Sequence, residues 1–493
     1  MIKTVLKAKH LIILFLPLFI LLSCGRGIDD PVAFGLPPAI FPDYKDVTVP
    51  VTIAPLDFDL DEADRLDVTL TGDDGTVIHV NGPGARFPRK AWRKLLKANA
   101  GASIRVETFG RVNGRWTEYA PFQIHVSEDA IDYGLAYRLI LPSYEGMGKV
   151  GIYQRELSTY DQREILSTEE VNGCLNCHAF NQCDPADMNL HVRGSQGATL
   201  LLQEGKLRAF TTKTDSTISS CVYPYWHPSG NYIAYSTNTT RQGFWQRAEN
   251  VLEVYDFASD IVVCDVRKSE LVSSPLIKGD GAWETFPAFS PDGTTLYFCC
   301  AAPRDIPGQL DQIRYNLCSI AFDPETGTFG DHVETLVNAA DAGGSVSFPR
   351  PSFDGKYLMY TLSRFGNFSI WHNESDLWLL DLSTGETRPL NGVNSPVAAD
   401  SYHNWSSNSR WFVFGSRRED QTHTRAYICH IDADGNPGKP FLLPQKHPRA
   451  YYDAMLMSYN IPEFVTTPVA LDSHKARRLL KREKREQLQY RTK

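Results

Sequence analysis

Beyond its first 24 residues the 493-residue chain has no hydrophobic run long enough to span a bilayer. Charged side chains are also sparse, at 22%, while hydrophobic ones reach 42%. Together these features exclude a polytopic membrane protein and a disordered chain. Also missing is any Ser-His-Asp arrangement, phosphate-binding loop or carboxylate cluster specific enough to name a reaction, so the sequence does not decide whether the protein is an enzyme. Aromatic residues are plentiful at 11%, alongside 35 glycines and 30 prolines, which favours many short strands joined by tight turns. The expected fold class is mainly β.

The net charge of −8 conceals an asymmetry. After Ser473 nine basic residues face only Glu483 and Glu486, whereas residues 24–473 hold 38 basic and 56 acidic side chains, a balance of −18. An acidic body repels phosphate backbones, so nucleic acid is not an expected partner.

The amino terminus reads as a targeting device, with Lys3, Lys7 and Lys9 ahead of an apolar stretch from Leu11 to Leu22. Leu21-Leu22-Ser23-Cys24 closes it and resembles the lipobox of bacterial lipoproteins. The resemblance implies a signal peptide over 1–23, cleavage before Cys24 and lipid on its sulfur. The membrane is then a partner, and the location is the bacterial cell envelope at the outer membrane, on its periplasmic or its surface face. An ordinary secretory signal with an incidental cysteine is the alternative.

Residues 24–45 suit a flexible linker. Alternating runs such as Leu66–Leu70, Thr76–Val80 and Ser103–Val106 predict an immunoglobulin-like β-sandwich over 46–128, interrupted by a helix from Arg89 to Lys97. An internal repeat dominates the remainder: Tyr223–Tyr235, Phe286–Phe298, Phe348–Tyr360 and a degenerate Tyr402–Phe414. Each reads as strand, tight turn, strand, and the turn positions 230, 293, 355 and 409 lie 63, 62 and 54 residues apart. The copies resemble the TolB-like (PD-repeat) β-propellers. That likeness implies a propeller over 129–465 closed by strands from outside the copies, with six blades as the leading count and five or seven as alternatives. Tyr137–Leu141, Lys149–Tyr153, Ala198–Thr212 and Met455–Phe464 are the material available. The basic tail, 466–493, carries enough apolar residues for one weak helix and is expected to be dispensable for folding from His474 onward, with docking as the alternative.

Within 169–197, read as an insert, lies Cys174-Leu175-Asn176-Cys177-His178. Two thiols three positions apart can add to both vinyl groups of a porphyrin while the adjacent imidazole ligates its iron, so the motif resembles a haem c attachment site. On that reading Cys174 and Cys177 hold haem c covalently and His178 is the proximal ligand. His191 is the first candidate for the second axial position, Met188 competes with it, and Arg193 could pair with a propionate. Two rivals stay open: a zinc site formed by Cys174, Cys177, Cys183 and His191, and a disulfide among Cys174, Cys177 and Cys183. Cys264, Cys318 and Cys429 read as buried thiols, and Cys299 and Cys300 as free ones. Tyr223, Trp226, His227, His372, His403 and Trp405 are candidates for a pocket wall. The full layout resembles the Bacteroidetes-type lipoproteins named TolB-like or cytochrome c biosynthesis proteins, a likeness that brings no established reaction. The functional expectation is a membrane-anchored haem protein with an electron-transfer or redox role and a propeller that docks a redox partner or substrate. The alternative is a binding or scaffold lipoprotein with zinc or a disulfide at the cysteines.

Overall fold

The computed structural model describes residues 28–142, 149–244, 252–482 and 485–491. Cys24 and the leader lie outside them.

Six strands between 46 and 128, joined by Val32–Ala33 from the stretch expected to be a linker, form one seven-stranded hydrogen-bonded sheet that forks at Ser103–Val112. One edge of this strand pairs throughout with Arg65–Gly72. The other edge pairs first with Phe122–Ser127 and then with Arg115–Glu118. The expected helix is present at Arg89–Ala98, and Trp92, Leu95 and Leu96 form its buried face, as their spacing requires. This unit is joined to the rest of the chain by a shared core, in which Trp92 and Val106 belong to the same apolar cluster as Trp411, Phe412 and Tyr459. Polar contacts reinforce the joint: Tyr44 donates to the Leu442 carbonyl at 3.2 Å, and His430 meets Asp129 at 2.7 Å.

The remainder is a propeller of six blades, each a sheet of four or five strands. Four blades begin with the repeats recognised in the sequence, at Val222–Trp226, Trp283–Phe289, Ser345–Pro351 and Asp400–Trp405. Blade one combines both ends of the domain: Ser458–Val465 supplies its inner strand and pairs antiparallel with Gly134–Ile140.

Blade two corrects the expectation of an insert. Cys174–Asn181 is its inner strand and pairs with Asp184–Arg193, which pairs in turn with Ala198–Gln203. Shifting the repeat frame shows why this was hidden. Cys177-His178-Ala179-Phe180 occupies the place of Phe286-Pro287-Ala288-Phe289, but lacks the first aromatic that marks the other copies, and the proline and turn glycine that mark three of them.

The tail is packed rather than free. Ser473–Leu480 is helical and buries Ala476 and Leu480. Glu486–Gln487 then adds in parallel to the outer edge of blade two, and Gln489–Tyr490 to that of blade three. Leu488, between them, is buried against both blades.

Candidate functional site in the axial channel

Every inner strand breaks register near its start. In five blades the break holds a non-glycine residue at positive φ: Tyr223 (50°), Phe286 (52°), Phe348 (52°), Tyr402 (55°) and Ile461 (46°). Side chains rarely adopt that backbone, and one in each of five blades marks a built feature. Four of these side chains form a stack across the axis, with ring centroids 4.6 Å apart for Tyr223 and Phe286, 4.1 Å for Phe286 and Phe348, and 5.0 Å for Phe348 and Tyr402. Cys177 stands at the corresponding place in blade two, its sulfur accepting from the Tyr223 amide at 3.5 Å.

This plug separates two spaces. On one side, where the inner strands begin, is a cavity of about 570 Å³ bordered by Cys177, His191, Arg138, Arg193, Trp371 and Tyr402. On the other is a space of about 50 Å³ bordered by His178, Cys183, Arg350 and Glu463.

The sequence-predicted site residues are therefore divided. Cys177 opens toward the large cavity and His178 toward the small one. Leu190 and Val192 pack with Leu175, Phe180 and Ala136 in the cluster between blades one and two, so strand alternation turns His191 to the other face of the hairpin. There its Nδ1 lies 3.0 Å from Thr199 Oγ1, and burial, followed by the Arg193 charge, lowers its pKa to about 4. Met188 is buried in the interblade cluster, Arg193 lies exposed on the border of the large cavity, and Cys174 is exposed at the strand's start.

His178 has a twin within the protein. His403 holds the same repeat position in blade six, where Nε2 lies 3.0 Å from the Met359 carbonyl of the preceding blade, and burial lowers its pKa to about 3. The ring of His178 likewise faces the carbonyls of Ala136 and Ile461 in its preceding blade, and burial, then Arg138, lowers its pKa to about 3. Its Nε2 completes no well-formed hydrogen bond and lies 3.4 Å from Glu463 Oε1. Burial raises the Glu463 pKa to about 8, which leaves a neutral carboxyl facing a neutral imidazole.

These residues do not fit haem c attached in the expected way. Thiol and imidazole open on opposite sides of the plug, and His178 and His191 lie on opposite faces of one sheet, so no single porphyrin plane meets them all. The four proposed zinc ligands are likewise scattered: Cys183, whose thiol contacts the Trp405 carbonyl at 3.4 Å, borders the small space, away from Cys177 and His191. Among the described residues no group of three or more His, Cys, Asp or Glu side chains could hold a metal ion. Cys174 and Cys177 are three residues apart in a strand, a span of about 10 Å, whereas disulfides need Cα atoms within about 7 Å. All nine described cysteines are free thiols, with Cys264, Cys318 and Cys429 buried as expected. Of the aromatic and histidine candidates, Tyr223 is in the plug and borders the large cavity, Trp226 and Trp405 border the small one, and His227 bonds to the Gly293 carbonyl. His372 sits between Glu253 and Glu374 at 2.7 and 3.2 Å.

Sequence reasoning missed Arg138, Trp371 and the amides Asn176, Asn238 and Asn460, which border the large cavity. They lie outside the repeat copies or on loops, and only the ring closure brings them together.

No protein-family model matches the chain, and no curated protein does. Among solved structures, prolyl oligopeptidase B from Galerina marginata is similar at 11% identity and a TM-score of 0.34, over 61% of this chain and 42% of that one. Sqt1 from Chaetomium thermophilum is similar at 12% identity and a TM-score of 0.34, over 69% and 80% of the two chains. A DUF4784 family protein from Bacteroides caccae is similar at 11% identity and a TM-score of 0.29, over 82% and 96%. The chain thus spans less than half of the peptidase, and likeness at this level carries no argument about activity.

Proposed function

We propose that this propeller is a ligand-binding module of the cell envelope, tethered through Cys24, and that it binds a small polar molecule in the cavity above the plug. The observation that carries the reading is the cavity itself. Its volume of about 570 Å³ falls within the roughly 300–1,000 Å³ range of small-molecule sites. Its border mixes aromatic rings with amides and hydroxyls, and strained residues from four blades, Tyr223, Phe348, Tyr402 and Ile461, help build its floor. The binding reading is preferred to the redox one because Cys174, Cys177, His178 and His191 do not converge.

A thermal-shift screen of the mature protein against metabolites and oligosaccharides tests this. Ser220, on the cavity border, is the position to block. A compound that stabilises the wild type should lose its effect in Ser220→Trp. Failure of every compound to stabilise the wild type, or equal stabilisation of the blocked variant, would sink the proposal.

A further inference from the structure

The larger cavity is electrically one-sided. Arg138 and Arg193 border it, and among the described residues no aspartate or glutamate does, although the body of the chain is strongly acidic. Neither arginine has a carboxylate partner among the described residues. Arg138 donates only to neutral oxygens, those of Leu175 O (3.0 Å), Asn176 Oδ1 (2.7 Å) and Asn460 Oδ1 (2.7 Å), and its buried Nε has no partner. Arg193 is exposed and near enough to His191 to depress its protonation. A third guanidinium, that of Arg417, lies 3.5 Å from the centre of the Trp371 ring behind the cavity wall.

The buried Nε of Arg138 is a donor withdrawn from water without a partner, which is unfavourable, and the shortfall is recovered when an acceptor enters. Guanidinium groups also match the planar fork of a carboxylate. The remaining border has a second chemistry. Trp371 and Tyr402 offer aromatic surface, while Asn176, Asn238 and Ser219 offer amide and hydroxyl groups that suit a ligand carrying several hydroxyls. Resting on the binding function proposed above, we infer that the cavity's ligand is a carboxylate-bearing saccharide, its acid group on Arg138 and Arg193 and its ring against Trp371 and Tyr402.

Isothermal titration of the mature protein with digalacturonate, neutral galactobiose and sodium sulfate tests the assignment. Digalacturonate should bind at least tenfold more tightly than galactobiose, and rising salt should weaken it. Arg193→Gln should reduce digalacturonate affinity about tenfold and leave galactobiose unchanged. This exposed arginine has no hydrogen bond among the described residues, so its loss should not disturb folding, whereas Arg138→Gln removes three bonds and serves only as a second variant. Equal affinity for the acidic and neutral sugars, or an Arg193→Gln variant that binds digalacturonate as the wild type does, would overturn the inference. Sulfate binding as tightly as digalacturonate would overturn its saccharide part. Failure of both sugars while other compounds stabilise the protein would refute the ligand class and leave the binding function standing. Failure of all compounds would remove that function as well.

Discussion

Replacing Leu488 by alanine should loosen the segment after the tail helix, from Arg485 onward, from the propeller. Leu488 is buried between two short parallel pairings, and its side chain packs with the cluster that includes Trp226, Val262 and Leu271. Truncating a buried leucine to alanine costs about 2–5 kcal/mol, and the lower end applies at a sheet margin that can partly collapse. At about 1.4 kcal/mol per factor of ten, a loss of 2–3 kcal/mol multiplies the detached population by roughly 30–150. This segment holds trypsin sites at Arg485 and Arg491, and cleavage there requires local detachment. Limited proteolysis followed by intact mass should show a tail cut faster by that factor in Leu488→Ala, with the propeller surviving. A wild-type tail cut as fast as a free peptide, or an unchanged rate in the variant, would refute the packing argument.

His178→Ala and His403→Ala should each lower stability by about 1–3 kcal/mol, since each leaves the neighbouring blade's carbonyls without a partner. Denaturant titration in which one variant is silent and the other is not would break the equivalence of the two histidines. Expressed in a host with c-type maturation, the protein should carry no covalent haem, and a Soret band surviving denaturation would overturn the geometric argument. For Glu463, whose pKa rises to about 8 on folding, the contribution to stability is complete below the unfolded value of about 4.5 and falls as pH rises through 8. Stability should therefore decline between pH 6.5 and 8, and Glu463→Gln should flatten that decline; an unchanged pH profile in the variant would show the side chain is already ionised. Finally, Cys24→Ala should move the protein from membrane to soluble fractions, and unchanged membrane association would remove the lipid anchor.

The propeller was legible because four copies kept an aromatic and a turn residue at fixed offsets, and three of them a proline, so the strand pattern repeated. Even the degenerate copy preserved its turn, with Ser409 at φ 59° where the others have glycine. The blade-two copy was not legible because Cys177 replaces the plug aromatic and His178 replaces the proline, substitutions that imitate a haem motif in a five-letter window. The strand-to-strand register was needed to show that the two side chains diverge. The tail misled for another reason: its composition is that of a solvated helix, and the three residues that anchor it, Ala476, Leu480 and Leu488, gain their partners from strands hundreds of positions earlier.

Blade one imposes an order on the birth of the molecule. Its strand Gly134–Ile140 has a free inner edge until Ser458–Val465 arrives, so a chain made from its amino end carries that edge unpaired until nearly all of it has been synthesised. The final residues then act as a late seal, laid across the rims of blades two and three only after the ring has shut. Folding quality control would therefore judge this protein by its last few dozen residues. A frameshift that removes Ser458–Val465 should be as damaging to its yield as one near the start, because that segment both closes blade one and borders the cavity.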